Sequence, residues 1–162
     1  MPSRRAFIQT WLGAPLLGIE NQPIPLAEGA QQAIAVVTHS SAALRELSLR
    51  DLRRLYTAER IFGPDDKQLI PFNHPRSSAI RERFDQTVLE MSPDEVSRFW
   101  IDRKIRGQRG APRAVPSTEL LAQVVAKLPG AVSYLLEADV PRGLRVVAID
   151  GKLPSDAEYA LR

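Results

Sequence analysis

The sequence predicts an α/β domain, a three-layer sandwich around a mixed, mostly parallel sheet. Four apolar runs of strand length, Ala33–Val37, Leu69–Asn73, Ala131–Leu136 and Leu144–Ile149, end in polar or turn residues. Between them lie segments with apolar residues at helical spacing, most of them opening on a serine. Helices that return the chain between apolar strands produce a layered sheet.

The elements follow in order. After the first strand, the polar stretch Thr38-His39-Ser40-Ser41 is a loop. Ser48 caps a helix with Asp51 three residues on, and Leu49, Leu52, Leu55 and Tyr56 form its apolar face. Gly63-Pro64-Asp65-Asp66 is a turn, and Pro71 puts the second strand at an edge or its own end. Ser77-Ser78 precede a helix that aligns Ile80, Phe84 and Val88. Ser92-Pro93-Asp94-Glu95 is a capping box with proline at the first helical position, and Val96, Phe99 and Trp100 are that helix's expected buried side. Arg103 to Arg113 reads as an irregular basic loop. Ser117 or Thr118 caps a helix reaching Leu128, which Pro129-Gly130 stops, and Asp150-Gly151 closes a turn after the last strand.

The N-terminus carries a separate signal. Ser3-Arg4-Arg5-Ala6-Phe7 precedes an uncharged run from Ala6 to Ile19, which resembles a twin-arginine export signal. Gly13, Pro15 and Gly18 break that run, which is shorter than the roughly 20 apolar residues of a membrane span. Residues 1–29 are therefore expected to be a signal peptide, cut after Gly29, and 30–162 the working domain, soluble and periplasmic. The chain has no cysteine, which excludes disulfides and lipid attachment through a thiol. Two histidines without cysteine make a transition-metal site unexpected, and no cofactor motif is present. A net charge of +3 with few aromatics argues against nucleic acid as a partner. No catalytic motif of the hydrolase, metalloprotease or P-loop kinds occurs, so no enzyme is expected.

Polar residues at strand ends and helix starts suit a small anion, because helix-start amides are unpaired and carry the positive dipole end. The expected ligand residues are Ser40, Arg76, Ser77 and Ser78, with His74 as a further donor. Arg76 would supply charge. The Arg103–Arg113 segment is the alternative contact surface.

From Ile34 to about Tyr159 the chain resembles small, single-domain relatives of the phosphate ABC-transporter substrate-binding protein, of the type II periplasmic binding protein fold. The matching pieces are Ile34-Ala35-Val36-Val37-Thr38-His39-Ser40-Ser41, Leu47-Ser48-Leu49-Arg50-Asp51-Leu52, Met91-Ser92-Pro93, Gly107-Gln108-Arg109-Gly110-Ala111-Pro112, Pro129-Gly130-Ala131-Val132-Ser133-Tyr134 and Ile149-Asp150-Gly151-Lys152-Leu153-Pro154. The resemblance implies a single lobe that binds a small oxyanion, phosphate first, with a membrane transporter as partner. In the family's anion-binding loop, His74 stands at the arginine, Arg76 at the aspartate and Ser78 at the ligand serine, while Ala79 and Ile80 replace glycine and threonine. The alternative is a ligand-free interaction or sensory module on the same scaffold, contacting a transporter subunit or sensor kinase.

Overall fold

The computed structural model describes residues 32–162. The expected signal peptide and its cleavage point lie outside the described residues. Strand β1 (Ile34–His39) occupies the middle of the sheet because it is apolar on both faces. Ile34 and Val36 enter one hydrophobic cluster, Ala35 and Val37 the other. The remaining elements in order are β2 (Glu46–Leu47), α1 (Leu49–Tyr56), β3 (Ile70–Asn73), α2 (Ala79–Phe84), a π-helical turn (Asp85–Leu89), α3 (Pro93–Ile105), β4 (Arg113–Ala114), α4 (Thr118–Lys127), β5 (Ala131–Leu136), a short 3-10 turn (Glu137–Asp139) and β6 (Leu144–Ile149).

The sheet order is β2-β6-β1-β5-β3-β4. β1 runs antiparallel to both neighbours, β5 and β6, whereas β2–β6, β3–β5 and β3–β4 are parallel pairs. Five strands therefore point one way and β1 alone the other. This is the mixed, mostly parallel sheet the sequence predicts, with helices on both faces. On one face lie α1, α2, the π-helical turn and the start of α3, contributing Leu52, Leu55, Phe84, Val88 and Val96 to the larger cluster. On the other, α4 contributes Leu121 and Val125, both fully buried at i and i+4.

Local chemistry accounts for the helix starts. Ser48 accepts the Asp51 amide, Ser117 the Leu120 amide, and Ser92 and Glu95 form a complete capping box with Pro93 following. Three expectations are corrected. α3 continues to Ile105, so the basic segment begins on a helix and ends on a two-residue strand rather than being wholly loop. Phe99 and Trp100 are only half-buried, leaving Val96 as that helix's one fully packed anchor. The helix after Ser78 widens into a π-helical turn that buries Asp85, Val88 and Leu89 together.

Gly130 links α4 to β5 at φ +89°, and a Cβ there would lie 2.9 Å from the Gln68 backbone oxygen. Both the backbone sign and the contact require glycine. Replacing it with alanine (Gly130→Ala) is expected to cost about 1–3 kcal/mol. Urea denaturation checks this; an unchanged midpoint contradicts it.

Candidate functional site

Since β1 opposes the other strands, the polar loops expected to act together fall on opposite edges. Thr38 and Pro71 both pair with Val132 of β5, yet β1 and β3 leave that rung in opposite directions. Ser40 lies two residues beyond it one way and Asn73 two residues the other, roughly 13 Å apart along the strands, with the 74–78 turn farther still. Ser40 is thus separated from His74, Arg76, Ser77 and Ser78. Its carbonyl accepts from Arg145, and the adjoining Ser41 hydroxyl is bonded to His39 Nδ1 at 2.8 Å.

At the carboxyl edge, β3 ends in a buried polar lattice. Tyr134 donates its hydroxyl to Asn73 Oδ1 at 2.5 Å, and His74 Nε2 lies 2.7 Å from the Tyr134 carbonyl. A carbonyl only accepts, so the His74 proton sits on Nε2. Tyr56 and Ser133 both donate to the Phe72 carbonyl, at 3.0 and 3.1 Å. Phe84 stacks on Tyr134 with ring centroids 3.8 Å apart. One turn into α2, Arg81 Nε meets Asp85 Oδ2 at 2.6 Å, with both side chains buried. The same guanidinium reaches the His74 carbonyl at 3.4 Å. The second carboxylate oxygen of Asp85 is buried without a protein partner.

Burial sets the electrostatics here. It pushes the Asp85 carboxyl up, an effect that Arg81 opposes but does not cancel. Burial, with Arg81 assisting, holds the His74 imidazole below its usual range. The Tyr134 hydroxyl is raised well above its usual value by the same desolvation. His74 is therefore a neutral, buried positioning residue rather than an exposed anion donor.

The turn that follows is open. Ser77 is exposed and Ser78 half-exposed. Ser78 is the N-cap of α2, but its hydroxyl makes no capping bond. The first helical bond of α2 runs from Glu82 N to Ser78 O, and the amides of Ala79, Ile80 and Arg81 have no backbone acceptor among the described residues. Arg76 is exposed and donates to the Ser97 hydroxyl, which in turn donates to the Pro93 carbonyl at 2.7 Å. The enclosed space beside this turn is about 20 Å³, lined by Arg76, Arg81, Glu82, Asp85, Pro93 and Val96. That is room for about one water, not for an oxyanion. An anion at Ser77–Ser78 would sit on an open surface.

A groove of about 610 Å³ lies on the opposite face of the sheet, running along α4 from Thr118 to Ala126 against the β5–β6 connection. Thr118, Glu119, Gln123, Asp139 and Arg142 border it around Ala122 and Leu144. Asn73, Arg81, Asp85 and Tyr134 are not among the ligand residues the sequence predicts, although Asn73 and Tyr134 fall in segments it marks. Only the Arg81–Asp85 spacing of four offered a signal. Among the described residues no group of three acidic or histidine side chains could hold a metal, and no helix is long and apolar enough to cross a membrane.

No protein-family profile matches the chain, and no curated protein matches it in sequence. Solved structures do match in fold. One is a phosphate ABC transporter substrate-binding protein with bound phosphate from Clostridium perfringens, 17% identical with a TM-score of 0.60, covering 75% of this chain and 46% of that one. An ABC-type phosphate transport receptor from Vibrio cholerae is 14% identical with a TM-score of 0.64, covering 80% and 53%. PstS from Borrelia burgdorferi is 16% identical with a TM-score of 0.58, covering 76% and 49%. The chain has the periplasmic-binding-protein fold of these structures and spans about half their length. At such identities the likeness is one of fold.

The lattice supports two predictions. His74 binds a proton less readily folded than unfolded, so stability is expected to fall as pH drops below the usual imidazole value of 6.5. Denaturant titrations at pH 7.5 and 5.5 check the sign, and His74→Gln should flatten the difference. Removing the Asp85 carboxylate (Asp85→Ala) leaves Arg81 buried and unpaired, an expected loss of about 3–5 kcal/mol measured by the same unfolding assay.

Proposed function

We propose that the chain is an exported, non-enzymatic binding protein that takes a small oxyanion at the Ser77–Ser78 turn, with phosphate the first candidate, and serves ABC-type uptake. One observation carries the reading. At the start of α2 the Ser78 hydroxyl makes no capping bond and the amides of Ala79, Ile80 and Arg81 have no backbone acceptor among the described residues, two residues after the exposed Arg76, at the carboxyl edge of the sheet. Such donors suit an oxyanion in charge and direction. Ligands of open α/β sheets gather at this edge. The proteins of the same fold from Clostridium perfringens and Vibrio cholerae are described as a phosphate ABC transporter substrate-binding protein with bound phosphate and an ABC-type phosphate transport receptor. Within this reading Ser77, Ser78 and Arg76 touch the anion and His74 holds the turn from beneath. Ser40 stays at the far edge.

An open turn without a second wall gives weak binding, since each charge-assisted bond of about 1.5–3 kcal/mol is offset by the cost of association. A second lobe, or a transporter surface, would have to close over the ligand for tight capture. The alternative of a ligand-free module contacting a transporter subunit or sensor kinase draws on a different observation. The enclosed space at the turn holds about one water, and Arg76 is already engaged by Ser97.

Calorimetry with phosphate, sulfate and small carboxylates separates the two. The first reading expects saturable heat with at least one oxyanion, weakened about tenfold or more by Ser78→Ala. It expects no change from Ser40→Ala. Silence across the panel removes the first reading and leaves the module.

A further inference from the structure

Helix α3 is held to the body at its first half, where Val96 is buried and Trp100 packs against the larger core cluster. Beyond that its outward side is bare. Ile101 is 58% exposed and Ile105 80% exposed, one helical turn apart on the helix's outward side. Around them, residues 98–113 carry six cations and one carboxylate, Asp102. That carboxylate is paired with Arg106. Arg98, Lys104, Arg106, Arg109 and Arg113 are exposed, and Arg103 lies over the Phe99 and Trp100 rings at 5.5 and 5.9 Å. Nothing lies within 4 Å of where a Cβ would stand on Gly107 or Gly110, so these two positions are open to solvent, and the loop returns to the body at β4.

We propose that the end of α3 and the loop after it form a docking surface for an anionic phospholipid membrane. Ile101 and Ile105 enter the headgroup boundary, and the surrounding arginines and lysine sit against the lipid phosphates. The two exposed isoleucines are flanked by cations spread along 16 residues, which complements a broad negative surface such as a layer of lipid phosphates. The long basic side chains keep their charges at the headgroups while their stems cover the apolar side chains. The surface is independent of whatever the Ser77–Ser78 turn binds.

Flotation of the full chain with vesicles tests this, using phosphatidylcholine alone and phosphatidylcholine with about one-third phosphatidylglycerol. Association with the anionic vesicles only, released by high salt, is the expected result. Removing three exposed cations (Arg98→Gln, Lys104→Gln, Arg109→Gln) should lower it by roughly 100-fold, at about fivefold per cation. Ile101→Ser with Ile105→Ser should lower it about tenfold or more. All five side chains are exposed, so circular dichroism and melting should match the parent. The two variants share the residues before Gln32 with the parent, so any loss reads α3 alone. Equal binding to neutral vesicles, no binding to anionic ones, or binding that survives both sets of substitutions overturns the proposal. A chain that ignores vesicles yet binds an acidic protein through these residues overturns it in favour of a protein partner.

Discussion

β1 is hydrogen-bonded along both edges and buried on both faces, and its direction opposes every other strand. That one constraint divides the molecule's loops. The ends of β3, β4, β5 and β6, the starts of α2 and α4 and the start of β1 share one edge. β1 runs on through Thr38 and His39, where the sequence predicts a loop, and its end and the Ser40–Ser41 turn are placed at the other edge, over a space of about 30 Å³ bounded by Thr38, Ser41, Asp65, Lys67 and Gly130. Helix starts with free donors therefore accumulate on one side of the sheet, where the strands' carboxyl ends also lie.

Beneath that edge the polar lattice fixes the backbone from which the exposed turn departs. Asn73 and His74 are both tied to Tyr134, Tyr134 stacks on Phe84, and Arg81 bridges from Asp85 to the His74 carbonyl. A buried ion pair contributes little net stability, because desolvation offsets its attraction. Its effect here is geometric, locking the first turn of α2 against the end of β3. The Ser77–Ser78 turn can then be open to solvent without being loosely placed, and α3 is drawn in through Arg76 and Ser97.

Much of this architecture was legible in the amino acids. The last two strands fall on Ala131–Leu136 and Leu144–Ile149, as their apolar runs indicate, and Ser48, Ser92 and Ser117 cap the helices that they precede. Local pattern encodes burial and capping but not strand direction. An apolar run such as Ile34–Val37 reads the same in either sense, so grouping Ser40 with Ser77 and Ser78 had no local warrant. Two-residue strands such as Glu46–Leu47 and Arg113–Ala114 are set by their partners and leave no periodic trace. The π-helical turn was hidden because Phe84 and Val88 satisfy ordinary helical spacing. α3 misled because it has apolar residues on two sides, Val96 and Trp100 inward and Ile101 and Ile105 outward.

Backbone amide NMR during a phosphate titration reports which edge of the sheet meets the anion. Saturable shifts are expected at Ser77 through Arg81, with Thr38 to Ser41 unmoved. Shifts confined to Thr38–Ser41, or none at the start of α2 at any phosphate concentration, would contradict an anion site at the Ser77–Ser78 turn.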